Sequence, residues 1–434
     1  MAIPLEALAR QLGAGGEPLK PPGYGPLAPV RDEATGIPLL RLPAGFRYIS
    51  YGWRGDALVG GMRTPEAHDG MGAIAGVSGR VYLVRNHEMN EGPAFSSPAY
   101  DAGAAGGTTI LEFDTVTGRW LSARAGLAGT MRNCSGGATP WGTWLTCEET
   151  LLGPSASSGL MKKHGYVFEV PPLTKASVEP LVAMGRFVHE ATAVDPATGY
   201  IYQTEDAHVA GLYRFIPRVP GVLSAGGSLE MLAIAGHRLY DTRTNQRAGE
   251  WLPIDWVPVD DPEKAHDTLG STDGRGVFAQ GWRNGGAAFG RLEGISYGAG
   301  KFYITATSGG DARFGQVWEL DPAASAMRIL FESAGAESLN MPDNVRVSPR
   351  GGLVLCEDGT TTPSVMGITT EGYLFRFMQN NAMLNGERNG IRGDFRFSEM
   401  SGTDFSPDGK WMFINMQHPG FTVAVTGPWQ DGSI

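Results

Sequence analysis

From Leu39 onward, apolar residues recur in short runs, separated by polar clusters and by turns rich in Gly, Pro and Asp. Runs this short, bounded by such turns, predict strands rather than helices. The stretch Asn133 to Glu149 shows the pattern well. Asn133-Cys134-Ser135-Gly136-Gly137 leads into the turn Thr139-Pro140-Trp141-Gly142, and Thr143 to Glu149 follows. Read as a hairpin, it returns the chain so that Cys134 and the carboxylates of Glu148 and Glu149 finish on one side.

The same unit recurs along the chain. Its copies pair His68-Asp69-Gly70 with Asn86-His87-Glu88, the Cys134 stretch with Glu149, His189-Glu190-Ala191 with Glu205-Asp206, and Arg291-Leu292-Glu293-Gly294 with Thr307-Ser308. Pro342-Asp343-Asn344 with Glu357-Asp358, and Glu399-Met400-Ser401-Gly402 with Gln417-His418, complete the set. Further strands follow most units, and about four strands per unit at this spacing describe propeller blades. The expected fold is all-β: a six-bladed β-propeller over residues 38–434, preceded by an arm over 1–37. Within the arm, Leu5, Leu8 and Leu12 fall at helical spacing and predict one face of a short helix. The segment Leu39 to Tyr51 is expected to return as the outer strand of the last unit, closing the ring and removing a free sheet edge.

From Asp69, the steps to Cys134, Glu190, Glu293, Asp343 and Glu399 are 65, 56, 103, 50 and 56 residues. The long step predicts an insertion at about 236–290. Its Trp251, Trp256 and Trp282 lie among polar residues, which makes it a candidate lid over the rim.

Composition agrees with many short strands, with 63 Gly and 29 Pro in 434 residues. The formal net charge of −10 argues against nucleic-acid and anionic-membrane partners. No apolar run approaches the roughly 20 residues that span a bilayer. Met1 to Leu12 lack a signal-peptide pattern, which leaves either a cytoplasmic protein or one whose export signal is not in this chain. A monomer is expected. Three cysteines are too few for a disulfide framework, and Cys147 and Cys356 read as core packing.

Blade geometry places Asp69, Cys134, Glu190, Glu293, Asp343 and Glu399 around one axis, with Glu88, Glu149, Glu205 and Glu357 just outside. So many carboxylates together repel unless they are protonated or bind cations. Oxygen ligands suit a hard cation such as Ca2+, while a thiolate recruits a transition metal, so a metal cluster is expected at the top of the channel. His87, His189 and His418 read as hydrogen-bonded structural histidines, and His68 as a partner to Asp69. Arg291 shares a strand face with Glu293; it is either a salt-bridge partner or a fork for phosphate oxygens.

The motifs Asn-Cys-Ser-Gly-Gly and Thr-Pro-Trp-Gly-Thr-Trp-Leu-Thr-Cys-Glu-Glu, with His68-Asp69-Gly70-Met71, Asn86-His87-Glu88 and the late Gly-Thr-Asp-Phe-Ser-Pro-Asp-Gly, resemble PhoX-type alkaline phosphatases over about residues 22–425. The resemblance implies hydrolysis of small phosphate monoesters with Fe3+ and Ca2+. It implies Cys134 as the thiolate ligand to iron, with Glu149 and Glu190 as its carboxylate partners. It further implies that Glu88, Glu293, Asp343 and Glu399 complete the iron and calcium shells, that Arg291 grips the substrate phosphate, and that the protein is periplasmic or secreted. A calcium-only propeller hydrolase such as a lactonase, which has no need of Cys134, is the main alternative; a non-catalytic propeller that binds a partner is the other.

Overall fold

The computed structural model describes residues 24–155, 158–264, 276–359, 361–432 and 434. The expected helix through Leu5, Leu8 and Leu12 lies outside them. Each predicted unit folds as an antiparallel hairpin. The hairpins join His68–Ala75 to Arg80–His87, Asn133–Ala138 to Trp144–Glu148, and His189–Val194 to Ile201–Glu205. Leu292–Gly298 pairs with Lys301–Ala306, Pro342–Val347 with Leu353–Glu357, and Met400–Phe405 with Met412–Met416.

The first strands of these hairpins neighbour one another in a closed cycle, with Met400–Phe405 returning to lie beside His68–Ala75. Each hairpin then builds outward through further antiparallel strands, and the result is an all-β, propeller-like fold. Small residues let the inner strands approach. A Cβ on Gly137 would sit 2.0 Å from the carbonyl oxygen of Thr192. Between adjacent sheets lie apolar layers, such as Leu83, Leu111, Phe113, Trp411, Phe413 and Ala424. Each large side chain so buried contributes about 1.5–3 kcal/mol.

The sheets are not equal blades. Among the described residues they contain six, three, nine, four and four strands, beside a two-stranded ribbon. The nine-stranded sheet arises in the insertion: Leu252–Val259 adds outside Gly227–Ile234, and its Leu252 and Pro253 pair with Met327 and Ala326 of the next unit's outer strand. The helix Gly276–Asn284 packs against these strands. The three tryptophans of the insertion have packing partners. Trp256 and Trp251 lie under the Arg214 and Arg328 guanidiniums, each 4.4 Å from the ring centre, and Trp282 stacks on Phe278. Residues 265–275 of the insertion lie outside the described set.

Leu39 to Tyr51 divides in two. Arg47–Tyr51 pairs with Phe421–Thr426 as the outer strand of the last sheet, as expected. Leu40–Leu42 pairs instead with Leu374–Asn380 of the preceding sheet and carries Ala28–Val30 from the arm on its other side. The break falls at Pro43 and Gly45, whose φ of 84° turns the chain from one sheet to the next.

Candidate metal centre

Every inner strand carries one register irregularity near the same end: between His68 and Met71, Asn133 and Gly136, His189 and Thr192, Leu292 and Ile295, Pro342 and Val345, and Ser401 and Asp404. A β-bulge sets two residues against one and re-aims a side chain. Asp69, Cys134, Glu190, Glu293 and Asp343 each stand at the first extra position.

A repeated backbone bond fixes the register of the units. The residue after the second strand donates its N–H to a carbonyl just before the first: Glu88 to Ala67, Glu149 to Arg132, Asp206 to Val188, Thr307 to Arg291, Asp358 to Met341 and Gln417 to Glu399. In this register Ser401, not Glu399, matches the five ligand-type residues. Glu399 enters from two positions earlier, where other units have Arg132 and Arg291. The expectation that Glu399 repeats the Asp69 position is corrected accordingly, although its half-buried side chain interacts with Asp343.

Cys134 Sγ lies 3.2 Å from Glu190 Oε1 and 3.7 Å from Asp69 Oδ2. Cys134, Glu149 and Glu190 each offer a ligand atom, all within 4.8 Å of one another, and so do Glu190, Glu293 and Asp343. Glu190 is common to both groups. Burial, reinforced by neighbouring carboxylates, raises the proton affinity of Asp69, Glu149, Glu190, Glu293 and Glu399 well above the usual carboxylate range. Burial also raises Glu88 and Asp343, and the Cys134 thiol rises for the same reason. Asp69 Oδ1, Glu190 Oε2 and Glu399 Oε1 are buried without a hydrogen-bond partner among the described residues. Orphaned acceptors facing like charge fit bound cations, and one thiol among oxygens fits a transition metal beside a harder ion.

Two arginines border this cluster. Arg291 reaches Asp206 with Nε and Nη2, at 2.9 and 3.0 Å, and Glu293 with Nη2 at 2.7 Å. Arg132 Nη2 lies 3.0 Å from Glu88 Oε1 and 2.6 Å from Glu149 Oε2. Glu88 also accepts from Gln417 Nε2 at 3.0 Å.

A family model for the alkaline phosphatase PhoX matches residues 22–126 and 102–420. The chain belongs to the PhoX family. It is therefore an alkaline phosphatase, a phosphoric monoester hydrolase. The structure resembles Pseudomonas fluorescens PhoX, solved in complex with vanadate, a transition-state analogue; the TM-score is 0.66 at 17% identity, over 95% of this chain and 99% of that one. A gluconolactonase from Xanthomonas campestris (TM-score 0.41, 12% identity, 93% and 98% covered) and a streptogramin B lyase (0.41, 9%, 88% and 98%) are more distant. No curated protein matches the chain.

In this PhoX family member, residues adjacent in sequence serve different ends, because successive strand residues face opposite ways. Glu149, Asp206 and Asp358 share the rim position with Glu88. Glu148, Glu205 and Glu357 turn away into backbone support. Glu148 accepts from Met131, Gly165 and Tyr166 N–H groups at 2.9, 2.8 and 3.1 Å. Glu205 accepts from the Gly211 N–H and Tyr213 hydroxyl, and Glu357 from the Asn340 N–H. The rim places expected for Glu205 and Glu357 thus belong to Asp206 and Asp358. Asp358, raised to about 7 by burial and by Asp343, is part of the same electrostatic cluster.

The histidines of this PhoX protein are structural where the structure pairs them. His87 contacts the Glu66 carbonyl and the Thr109 hydroxyl, and His189 the Gly185 carbonyl. His68 Nε2 goes to the Pro65 carbonyl, whereas Asp69 Oδ2 meets Cys134 and Gln417. Cys147 and Cys356 are buried, as expected.

Proposed function

We propose that this phosphatase hydrolyses small phosphate monoesters for phosphate scavenging, using Fe3+ and Ca2+ held at the mouth of a six-bladed propeller spanning residues 38–434. Cys134, Glu149 and Glu190 would hold iron. Glu293, Asp343 and Glu399, with Glu88, would complete the iron and calcium shells. One observation carries the reading: Glu190 joins a group containing a thiol to a group made only of carboxylates.

When bound, the cations supply Lewis-acid polarisation of the phosphoryl group and the positive charge that lets these acids stay ionised together. The chain's own residues do the positioning. Arg291 presents a planar fork to the phosphoryl oxygens, stabilising them as charge develops. Asp206 holds that fork by two hydrogen bonds and so fixes its plane. Glu88, joined to Gln417 and Arg132, faces the same opening. No serine or threonine nucleophile is required. Family membership also carries a periplasmic or secreted location, which cell fractionation would test.

Elemental analysis of the purified protein beside a p-nitrophenyl phosphate assay tests the proposal. Iron and calcium together, with turnover lost to chelator and in Cys134→Ala, are expected. Calcium alone with lactone turnover would overturn it.

A further inference from the structure

The backbone register that displaces Glu399 also aligns Arg132 with Arg291. Both stand two residues before a bulge residue, Cys134 and Glu293 respectively. Both have left-handed backbone, with φ of 47° and 46°. The carbonyl of each accepts the N–H of the rim residue in its own unit, Glu149 or Thr307. Repetition of the fold has therefore built two cationic arms into one acidic opening. The side chains of Arg132 and Arg291 keep 35% and 25% of their surface exposed, while Cys134 and Glu190 below are buried.

The two arms are tied down differently. Arg291 spends Nε and Nη2 on Asp206 and shares Nη2 with Glu293. Arg132 makes both of its ion pairs through Nη2, and its buried Nε has no hydrogen-bond partner among the described residues. A buried guanidinium N–H left unpaired is costly. A guanidinium with donors to spare matches the paired oxygens of a tetrahedral dianion.

We propose that Arg132 is a second phosphate-binding residue, contacting a non-bridging oxygen of the substrate phosphoryl group across the site from Arg291. The inference deepens the phosphatase reading and rests on the same site. In the plainer alternative, Arg132 only neutralises Glu88 and Glu149. The two roles separate because an anion ligand governs phosphate affinity, whereas a neutralising residue governs the acids and whatever they hold.

The test uses the full metal-loaded chain with Arg132→Met and, in case the methionine variant folds poorly, Arg132→Lys. Calorimetric binding of inorganic phosphate is measured alongside metal content, thermal unfolding and KM against kcat for p-nitrophenyl phosphate. Arg132→Met is expected to weaken phosphate binding about 10- to 100-fold, the factor that corresponds to a lost charge-assisted bond. KM should rise with it, metal content should hold, and Arg132→Lys should recover part of the affinity. Unchanged phosphate affinity in either folded variant, or loss of metal in step with loss of affinity, would overturn the inference. Phosphate binding that depends on Arg132 in a protein without phosphatase turnover would sustain it while removing the phosphatase reading.

Discussion

Cys134 and Glu190 come from neighbouring inner strands, yet Sγ of one lies 3.2 Å from Oε1 of the other. Neither side chain has solvent to lean on, so in the absence of a cation the contact needs a proton on at least one partner. Replacing Cys134 by Ala removes the single soft donor. Iron affinity should fall by at least the roughly 10- to 100-fold that loss of an outer-shell partner costs, and phosphatase activity should fall with it. Elemental analysis after dialysis checks this; full iron occupancy in the variant would refute the role of the thiol.

Stripping the cations should make the protein sensitive to alkali. Asp69, Glu149, Glu190, Glu293 and Glu399 bind protons more tightly folded than unfolded. Groups raised in this way stabilise the fold at low pH and lose that contribution as pH climbs through their folded values. The decline should begin in the ordinary carboxylate range and continue past about 7, where Asp358 titrates. Thermal unfolding against pH, with and without chelator, reads the difference. A chelated protein whose melting temperature holds or rises across that span would contradict the cluster's electrostatics.

His164 is wholly buried between Glu148, 2.6 Å from its Nδ1, and Asp101, 3.5 Å from its Nε2. Burial alone would lower its proton affinity, but the two acids raise it above the usual 6.5. Because Glu148 also accepts the Met131 N–H, the trio supports the turn that carries Arg132. His164→Gln should cost about 3 kcal/mol at acidic pH. The gap from the parent protein should narrow as pH rises through the raised His164 value, since only the protonated form gains from both acids. Equal unfolding curves at pH 5 would dismiss the interlock.

Asp206→Asn keeps the size of the side chain and removes the charge that orients Arg291. KM for p-nitrophenyl phosphate should rise about tenfold with little loss of metal. A normal KM would mean that Arg291 holds its plane without help.

Gly402 has φ of 64°, and a Cβ there would lie 2.6 Å from the Asp69 carbonyl oxygen. Gly402→Ala should destabilise the protein by about 2 kcal/mol or more and displace Asp69. Lower melting together with reduced metal content is the expected pair of results, and an unchanged melting temperature would count against the close approach.

The hairpins were legible because each prints its own turn and strands, from Ser78-Gly79 to Ser406-Pro407-Asp408-Gly409. What one sequence conceals is register. The backbone bond from Gln417 to Glu399 sets Ser401 where the other units carry their ligand-type residue, and nothing in the 56-residue step from Asp343 to Glu399 reveals that offset. Glu205-Asp206 and Glu357-Asp358 each offer two adjacent acids, and alternation along the strand hands the rim to Asp206 and Asp358. Arg132 carries no motif of its own beside Cys134; only alignment of the second and fourth units sets it over Arg291. The merged nine-stranded sheet depends on Leu252 and Pro253 meeting Met327 and Ala326, a contact for which no local pattern exists.

The pairing of Arg47–Tyr51 with Phe421–Thr426 joins two segments more than 370 residues apart in the chain. The first of the two strands must wait for the second to be synthesised before it can pair, and until then it is open to misassembly. Trimming a few residues from either partner should therefore harm yield in the cell far more than the small area of the joint suggests.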